Sequence, residues 1–210
     1  MSPDDLSPKK RVRAKTGPPA VEPGVPKEIR EVAVAGGVDT DSLVTSLDAA
    51  GIEIQMLIDA QRKCSALAVY QLVHLSWAAG RDARQALVQF KGREPACWPS
   101  GMKIDNILRQ ANKFELVDNL LFRRVYDAVD GEVQLRCCVP TGRFGTFDLP
   151  GRGKQDLGYR ERILLEYHNG PLAGHPGREK TCDLVEKSWW WPRMFDDIRR
   201  WCARCQDCQS

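Results

Sequence analysis

Two histidines and two cysteines near the C-terminus constrain this chain more than any other feature of its sequence. His168 and His175 precede Cys205 and Cys208 in the pattern H-x6-H-x29-C-x2-C. Two imidazoles and two thiolates complete a tetrahedral zinc shell and leave no position open for water. The sequence therefore predicts a bound Zn²⁺ that is structural, and a small module folded around it.

A third cysteine leaves one alternative for the ligand set. Cys202 forms a second C-x2-C pair with Cys205. It falls inside a predicted helix, directly after an apolar position, whereas Cys205 and Cys208 lie near the helix end, where the backbone can curl around an ion. We therefore favour Cys205 and Cys208, with Cys202 as the alternative.

The overall composition is that of an ordinary globular protein with a slight basic excess. The 210 residues carry a formal charge of +3, which permits a nucleic-acid partner without indicating one. There is no run of about 18 apolar residues that would span a membrane, and no apolar segment typical of a secretory signal. We expect a nuclear or cytoplasmic protein, in a compartment where C-x2-C indicates metal binding before it indicates a disulfide.

The N-terminal 40 residues are predicted to be a disordered, basic and proline-rich tail. They contain six prolines, and no aromatic residue precedes Tyr70. The cluster from Pro8 to Lys15 holds five lysines and arginines. Such a cluster is compatible with a nuclear import signal or a phosphate-binding arm, and equally with an ordinary solvated run of charge.

The remaining pattern predicts an α+β fold that is mainly helical. Residues 41–100 show helical periodicity and form a helical region. Residues 101–159 predict a small three-stranded antiparallel meander, followed by a flexible basic loop that is rich in glycine. Cys137 and Cys138 are neighbours in the third strand, so their side chains point to opposite faces and cannot hold one ion together.

Residues 160–210 predict three short helices that zinc holds together. The first helix ends at His168, and Gly174 turns the chain back to present His175. The second runs from the Pro-Gly pair to about Ser188, and the third ends near Cys205. A module of fewer than about 60 residues buries too little apolar surface to fold securely alone, so the metal is needed. In this module Trp189 and Trp190 are candidates for an exposed aromatic contact, although core packing of at least one of the two is favoured.

The same stretch resembles a known family. Gly174–Gly177 read GHPG, and Trp190–Met194 read WWPRM. With the ligand spacing, these motifs resemble the zinc-binding N-terminal domain of integrases from gypsy-type LTR retrotransposons and retroviruses. The segment from Phe114 to Arg124 more weakly resembles the region that precedes this domain in such polyproteins. The resemblance implies that the two histidines and the two favoured cysteines bind zinc, and that the module supports multimerisation and contacts the DNA ends of the element.

Two departures from the family pattern limit the expected activity. The basic loop is longer than the connection expected there, and the sequence ends at Ser210, before the catalytic core of such an integrase would begin. The resemblance therefore supplies no catalytic residues, and we expect no DNA joining by this chain. An enzyme with catalytic zinc is disfavoured, because four protein ligands leave no place for water.

The expected partners follow from this reading. They are DNA, through nonspecific phosphate contacts, and other copies of the chain or other domains of the polyprotein. Arginines around the third helix, Arg193, Arg199, Arg200 and Arg204, are the candidate phosphate contacts, or simply a solvated face. A membrane and a small-molecule substrate are not expected. The alternative function is a domesticated host protein that uses the module only for protein–protein interaction.

Overall fold

The computed structural model describes residues 40–126, 131–149, 153–171 and 173–209. Its helices are α1 (Thr40–Ala50), α2 (Ile54–Lys63), α3 (Ser65–Ala78), α4 (Ala83–Arg93), α5 (Ile104–Ala111), α6 (Tyr159–Leu164), α7 (Arg178–Glu186) and α8 (Met194–Ala203). Its strands are β1 (Phe114–Val117), β2 (Leu120–Tyr126), β3 (Val133–Cys138), β4 (Arg143–Leu149), β5 (Gly153–Gly158) and β6 (Trp189–Trp190). The predicted class, α+β and mainly helical, is confirmed.

From residue 40 to the first strand, the described chain forms five helices with a short 3-10 turn at Pro95–Cys97. The predicted tail, with its basic cluster, lies outside the described residues except for Thr40. Gly80 ends α3 in the left-handed conformation (φ 63°), and the Asp82 carboxylate caps α4 by accepting a hydrogen bond from the Arg84 amide at 2.9 Å. No helix in the described ranges is long and apolar enough to cross a membrane.

The predicted meander is present, and the structure adds a fourth strand to it. β1, β2 and β3 pair antiparallel, and Asp118 and Asn119 both take positive φ in the tight turn between β1 and β2. The predicted second helix of the C-terminal module, α7, ends at Glu186 rather than Ser188. The chain then extends, so that Trp189 and Trp190 pair in parallel with β3. Trp189 is fully buried and Trp190 partly buried, which confirms core packing of at least one of them.

The prediction of a flexible glycine-rich loop between residues 141 and 159 is wrong. β4 and β5 form an antiparallel hairpin there. Phe144 stacks on Phe147 with ring centroids 5.6 Å apart and meets the ring of Tyr159 edge-on at 5.1 Å. A Cβ atom at Gly158 would lie 2.8 Å from the carbonyl oxygen of Gly142. Glycine is therefore needed at this position because two backbone segments approach closely, and it does not indicate flexibility.

Two hydrophobic clusters lie on opposite faces of the four-stranded sheet. Cys137 belongs to one cluster and Cys138 to the other, as the alternation of a strand requires. The first cluster joins α1 and α2 to the C-terminal module. Partly buried polar contacts reinforce this junction, since the Tyr167 hydroxyl donates to Ser46 Oγ at 2.6 Å and accepts from Trp189 Nε1 at 3.2 Å. The C-terminal module therefore shares its core with helices more than a hundred residues away.

Candidate metal centre

Four side chains from three separate segments converge beside α8. His168 lies in a single π-helical turn, Leu165–Asn169, that continues α6, and His175 lies in the loop before α7. Cys205 and Cys208 follow the end of α8. One ligand atom from each of these four residues lies within 4.8 Å of all the others. The structure thus brings together the four residues that the sequence pattern selects.

The backbone that presents the histidines depends on two glycines. A Cβ atom at Gly170 would lie 2.4 Å from the carbonyl oxygen of Glu166, so only glycine fits directly after the π-helical turn. Gly174 then takes φ 65°, and His175 itself takes φ 52°. A left-handed histidine is uncommon and persists only where surrounding contacts hold it. The predicted first helix is therefore modified at its end, where the helical turn widens at His168.

The distances between the donors suit a tetrahedral metal ion. His168 Nε2 lies 3.5 Å from Cys208 Sγ, and His175 Nδ1 lies 3.2 Å from Cys205 Sγ. A tetrahedral zinc with ordinary Zn–N and Zn–S bond lengths separates its nitrogen and sulfur ligands by about 3.6 Å. Two imidazoles and two thiols are also the donor types that zinc prefers. The residues present therefore fit a zinc ion.

The hydroxyl of Thr181 determines which nitrogen of His168 faces the cluster without a proton. Thr181 is fully buried, and its hydroxyl donates to the carbonyl oxygens of Pro176 at 3.0 Å and Gly177 at 3.1 Å. The hydroxyl's only hydrogen is used there, so its oxygen accepts from His168 Nδ1 at 3.4 Å. Nε2 is then the unprotonated nitrogen, directed at the cluster.

Two further side chains orient the other donors. Nε2 of His175 lies 3.3 Å from a carboxylate oxygen of Asp207, which leaves Nδ1 for the cluster. Asn169 donates from Nδ2 to Cys205 Sγ at 3.6 Å, and its Oδ1 accepts from Trp201 Nε1 at 2.9 Å. Carboxylate and amide groups in these positions hold metal ligands in place and stabilise a thiolate.

Comparison with known proteins identifies this region. The family model described as Integrase zinc binding domain matches residues 156–210. This part of the chain is an integrase zinc-binding domain. The domain is similar to Gypsy retrotransposon integrase-like protein 1 of Bos taurus, at 34% identity over 50 residues. The proteins of the same name from Homo sapiens and Rattus norvegicus are 32% and 39% identical over 50 residues.

These matches concern one region only. The aligned stretch is 24% of this chain, and the chain spans about a tenth (10%) of the length of the curated relatives it matches. No solved structure gives a significant match. The recognised part is the zinc-binding domain, and the matches include no catalytic core.

Cys202 lies close to the cluster of the zinc-binding domain without belonging to it. Its sulfur is 3.6 Å from His168 Nδ1, the nitrogen that Thr181 engages, and 3.8 Å from the Thr181 hydroxyl. Burial raises the pKa of the Cys202 thiol above its usual value. Burial also lowers the pKa of His168, and the neighbouring His175 lowers it further, against the opposing effect of the Pro176 carbonyl. A lowered pKa favours the neutral form that a metal ligand needs.

The sequence pattern alone did not reveal the residues that orient the donors. Asn169 reads there as a helix breaker and Thr181 as a core-facing position of a helix. Asp207 lies between the two cysteines of the C-x2-C pair, where a carboxylate gives no signal by spacing. Their roles depend on hydrogen bonds to side chains that are distant in sequence, and periodicity contains no information about those.

Proposed function

We propose that His168, His175, Cys205 and Cys208 bind one structural Zn²⁺ in the integrase zinc-binding domain. The observation that carries the proposal is the convergence of their four ligand atoms within 4.8 Å. A structural zinc links segments that have little core of their own, and its binding free energy is coupled to folding. Because these four residues fill a tetrahedral shell, no position remains for a catalytic water.

Metal analysis tests the ligand set directly. Mass spectrometry of the purified chain should find one zinc ion per molecule, and His168→Ala and Cys208→Ala should each abolish it. Cys202→Ala should retain the ion, as should the control Cys97→Ala, which removes a thiol outside the cluster. Loss of zinc in Cys202→Ala, with retention in Cys208→Ala, would assign the alternative ligand set.

We further propose that the domain acts as the non-catalytic zinc module of a gypsy-type integrase. In that role it supports self-association and contacts the DNA ends of the element. The support is the similarity to proteins named as gypsy retrotransposon integrase-like, together with the filled coordination shell. Sedimentation velocity with and without a chelator tests self-association, and an unchanged monomer in both conditions would contradict it.

For DNA contact, the arginines in α8 and at its two ends differ in their availability. Arg193 and Arg199 pair with the same carboxylate, that of Asp196, at 3.3 and 3.2 Å, and Arg200 pairs with Asp197. Among the residues that the structure describes, no carboxylate pairs with Arg204, which lines a groove of about 770 Å³ between α8 and the β4–β5 hairpin. Arg204 is therefore the arginine of this group that is most available for a phosphate.

Fluorescence anisotropy with a labelled DNA duplex tests this contact. Binding should be independent of sequence and should weaken steeply with salt. Arg204→Ala should weaken it and reduce the slope of log affinity against log salt by about 1. The control Arg84→Ala removes an exposed arginine of α4 and should leave the slope unchanged. Absence of binding at low salt would exclude DNA contact by the isolated chain.

A further inference from the structure

The cysteines of this chain differ in whether an oxidant in the solvent can reach them. All eight lie in the described part of the structure. Cys64, Cys137, Cys138 and Cys205 are buried, and Cys208 is the one that is exposed. Burial raises the pKa of Cys138 well above its usual value, so this thiol stays protonated and unreactive. Of the eight, Cys208 is therefore the thiol most accessible to an oxidant.

Metal binding decides which of the thiols are nucleophiles at neutral pH. A thiol that coordinates zinc is deprotonated, whereas a free thiol of ordinary pKa is mostly protonated. Of the two ligand thiols, Cys205 is 2% exposed and Cys208 is exposed. Oxidation of a cysteine depends on its thiolate character and its exposure together. With zinc bound, Cys208 is the ligand thiol that combines the two properties.

Cys205 supplies a second sulfur within reach of Cys208. The two sulfur atoms lie within 4.8 Å of each other. Cys202, the third thiol of this segment, lies 3.6 Å from His168 Nδ1, whereas Cys208 lies 3.5 Å from His168 Nε2. The sulfurs of Cys202 and Cys208 therefore face different nitrogens of the His168 ring. Cys205 is the thiol that shares the metal side of this ring with Cys208.

We propose that Cys208 is an oxidation site for hydroperoxides, and that its oxidation joins it to Cys205 in a disulfide and releases the zinc ion. The proposal rests on the structural Zn²⁺ proposed above. A disulfide lacks the thiolates that zinc needs as ligands. His168 and His175 alone then fill two of the four positions of a tetrahedral shell, which is too few for a structural site.

The reaction balances with hydrogen peroxide as the oxidant. The Cys208 thiolate attacks one peroxide oxygen, the O–O bond breaks, and the departing hydroxide takes a proton from the solvent to become water. The Cys205 thiolate then attacks the sulfur of the resulting Cys208 sulfenic acid. The S–O bond breaks, and the second hydroxide also leaves as water after it takes a proton. The two sulfurs together lose two electrons, which the peroxide gains.

Oxidation of Cys205 also disturbs the contacts that order the site. Asn169 donates to Cys205 Sγ at 3.6 Å and accepts from Trp201 Nε1 at 2.9 Å. His175 Nδ1 lies 3.2 Å from the same sulfur. The backbone of His175 is left-handed (φ 52°), a conformation that persists only while surrounding contacts hold it. We therefore expect the oxidised chain to lose helicity as the chain does when EDTA removes zinc.

Zinc release and disulfide mapping test the proposal on the zinc-loaded full chain. Hydrogen peroxide should release one zinc ion per chain, detected with a chromophoric indicator. Mass spectrometry after alkylation of free thiols should find a disulfide between Cys205 and Cys208, with Cys202 alkylated. A sulfenic-acid trap present during the reaction should mark Cys208 before any other cysteine. Dithiothreitol with added zinc should restore the metal content.

Three variants separate the reactive thiol from its neighbours. Cys208→His replaces the thiolate by an imidazole, which can bind zinc but forms no sulfenic acid. It should release zinc at least about tenfold more slowly than wild type. Cys202→Ala removes a thiol beside the cluster, and Cys97→Ala removes one outside it; both should release zinc as wild type does. If Cys208→His binds no zinc, trapping and disulfide mapping in the wild type decide.

Three results would overturn the proposal. These are zinc that stays bound while peroxide oxidises Cys97, a disulfide that includes Cys202, and a sulfenic acid trapped first at Cys205. A purified chain that contains no zinc before oxidation would overturn the metal assignment, and this proposal with it. Zinc that is present and resists peroxide would overturn this proposal alone, so the two failures are distinguishable.

Discussion

The hydroxyl of Thr181 provides a sharp test of how the metal centre is organised. In the variant Thr181→Val the side chain keeps nearly the same shape, while His168 Nδ1 loses the oxygen that accepts its hydrogen at 3.4 Å. Gly177 retains a hydrogen bond, because its carbonyl also accepts from the amide of residue 181 at 2.9 Å. The substitution also removes the hydrogen bond that the hydroxyl donates to the Pro176 carbonyl at 3.0 Å. Zinc affinity, measured apart from stability, therefore reports the contact with His168.

The expected magnitude follows from the burial of this contact. Loss of a partner that orients a metal-bound histidine typically weakens metal affinity by about 10- to 100-fold. That range corresponds to about 1.4 to 2.8 kcal/mol. We expect a loss within this range, because Thr181 and His168 are both fully buried and water cannot replace the hydroxyl, while the carbonyl of Pro176 still interacts with His168.

Competition with a chromophoric zinc chelator at fixed pH gives the affinity. Thr181→Ser, which retains the hydroxyl, should stay within a few-fold of wild type. Ser76→Ala is the control, because it removes a buried hydroxyl that donates to Leu72 at 2.8 Å, in α3. It should lower stability without changing zinc affinity. If Thr181→Val bound zinc as tightly as wild type, the assignment of Thr181 as the group that orients His168 would be refuted.

Three further predictions concern stability. Chelation of zinc with EDTA should reduce helicity and near-ultraviolet circular dichroism together, since the zinc-binding domain shares its core with α1 and α2; unchanged spectra would contradict this. Trp189→Ala should lower the free energy of unfolding in urea by about 3–5 kcal/mol, whereas Phe195→Ala, an exposed site, should change it by less than about 0.5 kcal/mol. Gly170→Ala should lower the free energy of unfolding by about 1–3 kcal/mol, because the new methyl group would lie 2.4 Å from the carbonyl oxygen of Glu166. Gly177→Ala is the control and should be tolerated, because Gly177 has open space around it and an ordinary φ. Equal effects of the two substitutions would contradict the steric explanation.

Local patterns in the sequence predicted much of the fold. Apolar residues at helical spacing predict the helices of the N-terminal part, and the Asp118-Asn119 pair predicts the turn between β1 and β2. The alternation around Cys137 and Cys138 predicts that these thiols face different sides of the sheet. Each of these inferences depends on backbone preferences and on residues within a few positions of one another.

Inferences that depend on distant contacts failed or stayed open. The glycines between residues 141 and 159 suggested a flexible loop, whereas the structure has the β4–β5 hairpin there. One of them, Gly158, is needed because its backbone approaches the Gly142 carbonyl closely. The strand at Trp189 and Trp190 lies between the predicted second and third helices of the module, and no local pattern indicates it, because only pairing with β3 makes it a strand. The number of charged residues in and around α8 does not show which arginines form salt bridges with its aspartates.

The sequence by itself determined the donor types at the metal centre and their spacing, because imidazoles and thiols at these intervals suit zinc wherever the chain can turn. Only the tertiary structure decided that Cys208 lies beside His168 Nε2 while Cys202 lies beside the opposite nitrogen. It also decided that Thr181, Asn169 and Asp207 hold the donors. The physical reason is that spacing restricts which residues can meet, whereas packing and hydrogen bonds between distant segments determine which atoms do meet.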